Sequence, residues 1–206
     1  MADLYNNFAE LFADNTYETD YHVLAGIRDS NILFSAVHGG GIESGTTELA
    51  MFSGGSEFNF YAFEGWRGSG NTSLHITSTH WDEPTGMKLF KSVDYTISYH
   101  GYSSSTKNTK LGGLDAGLRN LILRNLTNAG FSAEIEGEGS NIAGVNPTNL
   151  VNVNKRGMGV QLEISTAQRS AFFNTNTRSE RRNTINDEFT NYMNAVVSAV
   201  REYTGN

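Results

Sequence analysis

Residues 31–50 read NILFSAVHGGGIESGTTELA, an almost unbroken apolar run that ends in a histidine, three glycines and a glutamate. A short apolar run that does not alternate with polar residues predicts a strand buried on both faces, as at the centre of an α/β sheet. The glycines predict a tight return loop after that strand. Outward from this stretch, strands are predicted over 21–27, over 57–63 (EFNFYAF), over 73–78 (SLHITS), over 94–99 (DYTISY), over 131–136 (FSAEIE) and over 159–165 (GVQLEIS). A helix is predicted where Leu111, Leu114, Leu118, Leu121, Ile122 and Leu126 recur at three- and four-residue spacing, with Gly130 at its C-terminal cap. A second begins near Thr184, where Ile185, Phe189, Tyr192, Val196, Val200 and Tyr203 form one stripe. Strands alternating with helices imply an α/β fold, a mixed β-sheet flanked by helices on both faces, with ligands gathered at the carboxyl ends of the strands.

The chain is 206 residues long, which suits one domain over 1–206. Fifteen Lys plus Arg against 22 Asp plus Glu leave a net charge of −7, which argues against nucleic-acid partners that need a basic stripe. There is no cysteine, so thiolate metal sites, iron–sulfur clusters, disulfides and cysteine nucleophiles are excluded, and any metal must be held by His and carboxylate. Residues 1–20 lack the basic and apolar regions of a secretory signal, and no stretch reaches the roughly 18 apolar residues of a membrane span, so a soluble chain with no membrane partner is expected. With no heptad and no exposed apolar stripe, a monomer is expected.

Three strand ends carry ionisable side chains: His38 follows NILFSAV, His100 follows DYTISY, and Glu163 lies late in GVQLEIS. His38 and Glu43 are separated by four residues, three of them glycines, and a folded-back loop can bring an imidazole and a carboxylate to one point. Such a pair suits Zn²⁺, with His100 as the natural third ligand and an open fourth position. Two other readings stay open here: histidines merely hydrogen-bonded at strand ends, and glycines that cradle an anion. The helical H-E-x-x-H signature is absent. Glu163, flanked by Val160, Leu162 and Ile164, is either an edge-strand residue facing water or a desolvated carboxylate whose pKa is lifted toward that of a general base.

The segments HGGGIESGTTELA, LHITSTHWDEP (74–84), SYHGY (98–102), LGGLDAGLR (111–119), VNPTN (145–149) and GVQLEIS occur in one order and together resemble the phage and Bacillus poly-γ-glutamate hydrolase family. The similarity runs from about Asp20 to the C-terminal helix. It implies a small zinc peptidase of carboxypeptidase-like fold that cleaves γ-glutamyl amide bonds of poly-γ-glutamate, with one Zn²⁺ bound by His38, Glu43 and His100 and with Glu163 as general base. The wider carboxypeptidase superfamily spaces its first ligand pair as H-x-x-E, whereas this chain has H-x-x-x-x-E.

A polyanionic substrate would be repelled by a chain of charge −7, so local cations must attract it. Arg156 and Arg119 are the candidates for binding substrate carboxylates, Arg because it can hold a carboxylate with two parallel hydrogen bonds. Lys155, Lys107 and Lys110 are further cations, the last two better read as solvated charges. His75 is placed in a strand, where it is either structural or a second histidine that orients substrate or a ligand. Asn146, Asn149, Asn152 and Asn154 read as turn formers. Competing activities are a zinc amidase or deacylase acting on a small acylated amino acid and a non-catalytic phage replication-associated or anion-binding protein. The missing leader implies a product of the host cytoplasm that meets the polymer on lysis.

Overall fold

Seven strands form one mixed sheet in the order β1-β3-β2-β4-β7-β5-β6. The structure, a computed structural model, describes residues 3–206. The strands are β1 (Tyr21–Gly26), β2 (Ile32–Gly40), β3 (Asn59–Gly65), β4 (Tyr95–Tyr102), β5 (Thr109–Gly112), β6 (Ala133–Ile135) and β7 (Val160–Ser165). The helices are α1 (Phe8–Asp14), α2 (Thr46–Gly54), α3 (Pro84–Ser92), α4 (Ala116–Asn128), α5 (Thr166–Ala171) and α6 (Asp187–Thr204). The four central strands β3, β2, β4 and β7 run parallel, while β1 and β5 are antiparallel to β3 and β7.

The opening stretch behaves as its composition requires, since every residue of β2 is buried. Its Ile32, Phe34 and Ala36 join the core under α2, α4 and α6, together with Ile97, Leu162, Leu118, Ile122 and Val196. Leu33 and Val37 point to the opposite core, where α1 and α3 contribute Leu11, Leu89 and Phe90. Removing each such side chain from water stabilises the fold by about 1.5–3 kcal/mol, which is why a run apolar at both parities belongs at the sheet centre. Asp115 caps α4 by accepting the Leu118 N–H at 3.1 Å, and Asn186 caps α6 through the Phe189 N–H at 3.2 Å.

Two elements differ from expectation. Residues 73–78 are no strand: a 3-10 turn over Asn71–Leu74 is followed by irregular chain, because Leu74 and Ile76 are buried while no neighbouring strand accepts their backbone. Leu111 lies in β5 rather than in the helix, which starts only at Ala116, so the spacing of its leucines spanned a strand, a glycine turn and a helix. None of the helices among the described residues is long and apolar enough to cross a membrane.

Candidate active site

At the carboxyl end of β2 the chain folds back on itself. Glu43 donates its N–H to the His38 carbonyl at 2.8 Å, and Gly41 donates to the carbonyl of Gly65 at 2.9 Å. Gly40 adopts φ +65°, and a Cβ there would stand 2.4 Å from the Gly65 carbonyl oxygen, so only glycine fits both the turn and the approach to β3. This loop returns the Glu43 carboxylate to the imidazole of His38, with Oε1 3.4 Å from Nδ1.

β4 supplies the next group. His100 is 3% exposed, its Nδ1 lying 3.2 Å from Nδ1 of His38 and 3.6 Å from Glu43 Oε2. Parallel pairing sets His100 of β4 directly beside Glu163 of β7, which is 5% exposed. Four chemically active side chains, 125 positions apart at the extremes, thus share one strand-end cleft.

The hydrogen bonds around the cluster decide what it can hold. Nε2 of His38 lies 2.8 Å from the Ile76 carbonyl, an acceptor without a proton, so the neutral ring carries its hydrogen on Nε2 and turns the Nδ1 lone pair inward. Nε2 of His100 is bonded to Ser98 Oγ at 3.0 Å, which leaves its Nδ1 facing inward as well. Two ring nitrogens and a carboxylate, whose Oε2 also accepts the Gly101 N–H at 2.9 Å, therefore converge in an arrangement that a cation can bridge. The two nitrogens stand 3.2 Å apart, with Glu43 Oε1 3.4 Å from that of His38 and Oε2 3.6 Å from that of His100, close to the about 3.4 Å that separates donors held on one tetrahedral ion by bonds of about 2.1 Å. The donor set fits zinc.

His75 competes for a place in this set, since His38, Glu43 and His75 offer atoms all within 4.8 Å of one another. Ring geometry favours His100. The His75 ring stacks on His38 at 4.0 Å and 29°, so the in-plane lone pairs run side by side, whereas His100 meets His38 at 67° and its lone pair can converge. His75 instead binds Asp3 through Nδ1 at 2.6 Å and stays half-buried at the mouth.

The charges are tuned accordingly. Burial alone would raise the pKa of Glu43, but His38 and His100 outweigh it and hold the carboxylate well below its usual range. Burial pushes Glu163 up to about 7, against the pull of His100 and with the repulsion of Glu43. Gln161 donates to Glu163 Oε1 at 2.6 Å and orients it. Two like-charged carboxyls near two imidazoles are so driven apart, one firmly ionised and one near neutrality.

Arg169 is a group that sequence reasoning missed. It is 7% exposed, and it bridges the Ile164 carbonyl at 3.0 Å and the Ser44 carbonyl at 2.7 Å, so it braces β7 against the glycine loop. Gly101 makes room for it, because a Cβ there would meet the guanidinium at 2.5 Å. A single arginine four residues beyond the last strand carries no local signal.

Arg156 and Arg119 are not in this cleft. Arg156 pairs with the buried Asp115 at 2.6 Å and lies over the ring of Tyr95 at 4.4 Å. Tyr95 begins β4 and His100 is five residues further on, about 16 Å along a strand. Arg119 donates to the Gly113 carbonyl at 3.0 Å at the same far end. Arg156 serves buried Asp115, and Arg119 ties down the glycine turn before it. Lys107 and Lys110 pair with Glu188 at 2.7 Å and Glu136 at 2.9 Å. The asparagines build turns as read: Asn152, for one, donates to the carbonyls of Gly144 and Asn146.

A family model described as poly-gamma-glutamate hydrolase matches residues 5–195. The chain belongs to the poly-gamma-glutamate hydrolase family. Members of that family are hydrolases, and the relatives agree in fold. The structure of a bacteriophage poly-gamma-glutamate hydrolase superposes with a TM-score of 0.93 at 38% identity, covering 99% of each chain. The zinc-free form of YndL gives 0.94 at 36% identity over 98% of this chain and 99% of that one. The SPbeta prophage-derived protein YoqZ of Bacillus subtilis (strain 168) is 46% identical over 98% of this chain and 73% of its own. The relatives' fold agrees with the α/β reading, and in this chain His38, Glu43, His100 and Glu163 lie at the carboxyl ends of parallel strands, where α/β folds bind ligands.

Proposed function

We propose that the protein hydrolyses γ-glutamyl amide bonds of poly-γ-glutamate with one zinc ion held by His38, Glu43 and His100. The observation that carries this reading is the convergence of those three side chains, with donor atoms 3.2–3.6 Å apart, beside a buried carboxylate, in a chain of this family. The relative described as zinc-free supports the choice of metal. When bound, zinc supplies Lewis acidity, which polarises the scissile carbonyl and makes water a stronger acid.

The remaining work falls to the chain. Glu163, held by Gln161, takes a proton from the attacking water and gives it to the departing amine, a shuttle that suits a carboxyl lifted to about 7. Glu43 stays ionised throughout. The Ile76 carbonyl fixes the tautomer of His38, and the Ser98 hydroxyl holds the orientation of the His100 ring, so that the inner nitrogens do not turn away. His75, anchored by Asp3 through Nδ1, keeps Nε2 for the substrate at the mouth of the cleft. Arg169 holds the loop that carries Glu43.

The direct test is incubation of the polymer with purified protein. Chain length is expected to fall, a chelator to stop the fall, and added zinc to restore it. Undiminished cleavage after complete metal removal would end the zinc mechanism, and intact polymer under all conditions would end the substrate assignment.

A further inference from the structure

On the far side of the glycine loop from the donor cluster's side chains, Gly41 and Ser44 line a cavity of about 340 Å³ together with Trp66, Arg67, Arg178 and Arg181 among others, with no carboxylate among its lining residues. We propose that this arginine pocket binds the α-carboxylate of a glutamyl unit next to the scissile bond, and so supplies the local attraction that a chain of charge −7 needs. The inference rests on the polymer reading above and names the part of the site that selects for the polymer's charge.

Three observations carry it. First, the pocket and the donor cluster share one loop: Gly41 and Ser44 line the pocket, while His38 and Glu43 of the same stretch form the cluster. The proposal places a polymer unit in the pocket with its neighbouring amide toward the cluster across this loop.

Second, the charges are graded. Arg67 is paired with Asp20 at 2.8 Å, and Arg181 lies 3.5 Å from Glu48. Arg178 has no ion-pair partner among the described residues. It donates to the Arg67 carbonyl at 2.5 Å and lies over the ring of Trp66 at 4.4 Å, and that indole also stacks with the ring of His22 at 4.3 Å. The stack holds the guanidinium in place without neutralising it, leaving donors for a planar, two-oxygen partner.

Third, Arg181 is 3% exposed and is held by Glu48, 3.5 Å from its Nε, and by the Gly40 carbonyl, to which its Nη2 donates at 2.7 Å, so it adds a fixed guanidinium to the pocket wall.

The test is calorimetric titration of a γ-glutamyl tetramer into chelator-treated protein, so that binding is read without cleavage. The wild-type chain is expected to bind saturably, Arg178→Ala to bind at least tenfold more weakly, and Arg178→Lys to fall between them. A tetramer with its α-carboxylates converted to amides is expected not to bind. Lys155→Ala, altered at the far end of the sheet, is expected to match wild type. Absence of saturable binding by wild type, equal binding by Arg178→Ala, or equal binding of the amidated tetramer overturns the proposal. Retained Arg178-dependent binding with no cleavage by the zinc-loaded protein would instead remove the hydrolase reading and leave the pocket standing. Cleavage with Arg178-independent binding would do the reverse.

Discussion

Glu163→Gln is expected to lower kcat about 1,000-fold, about 4 kcal/mol of barrier, while the protein keeps its zinc. The exchange is nearly isosteric and leaves His38, Glu43 and His100 untouched, so metal content should stay at one ion per chain by mass spectrometry. What disappears is the group that can accept a proton beside the cluster. Activity within a few-fold of wild type would remove Glu163 from catalysis, and loss of zinc would make it a ligand. The pH profile carries the same assignment. The working form of the base is the carboxylate, so kcat/KM must fall as pH drops through its pKa. Burial sets that value at about 7 in the chain alone. A bound dication favours the carboxylate and moves the midpoint downward, so the acid limb lies between about 4 and 7 and loses about tenfold per pH unit. A flat profile across this window contradicts the proposal.

His100→Ala is expected to weaken zinc binding by more than 100-fold and to abolish turnover, whereas His75→Ala keeps one zinc per chain. The reasoning is geometric. His100 crosses His38 at 67° with 3.2 Å between Nδ1 atoms, and removing it opens one corner of the donor set. Losing an outer hydrogen-bonding partner typically costs about 10–100-fold in metal affinity, so losing a donor must exceed that. His75 lies parallel to His38 and bonds Asp3. Zinc content after dialysis separates the two variants, and the opposite ranking would place His75 in the set and His100 outside it.

Part of this site was readable from the chain itself because the signals are local. An apolar run with no alternation had to be a central strand, and β2 is buried along its whole length. The glycines after His38 had to make a return loop, and the Glu43 N–H does meet the His38 carbonyl. Other readings failed where one pattern covered two structures. SLHITS has the composition of a strand, yet its buried Leu74 and Ile76 sit in a turn and irregular chain. The leucines from Leu111 onward keep helical spacing across a strand and a glycine turn.

What the amino-acid order by itself determined is the kind of fold, the types of donor and the strand ends on which they sit, since each depends on periodicity or on neighbours within a few residues. Only the tertiary structure decided which of them meet. The register of β4 on β7 puts His100 beside Glu163, and ring angles separate His100 from His75. Arg156, the preferred substrate cation by sequence, is drawn to buried Asp115 at the far end of the sheet. The pocket beside the site is lined instead by Arg67, Arg178 and Arg181, from segments more than a hundred residues apart. The physical reason is one of range. Apolar patterning acts along the chain, whereas a buried charge is placed by whatever opposite charge or unmet donor the packed fold brings within a few ångströms.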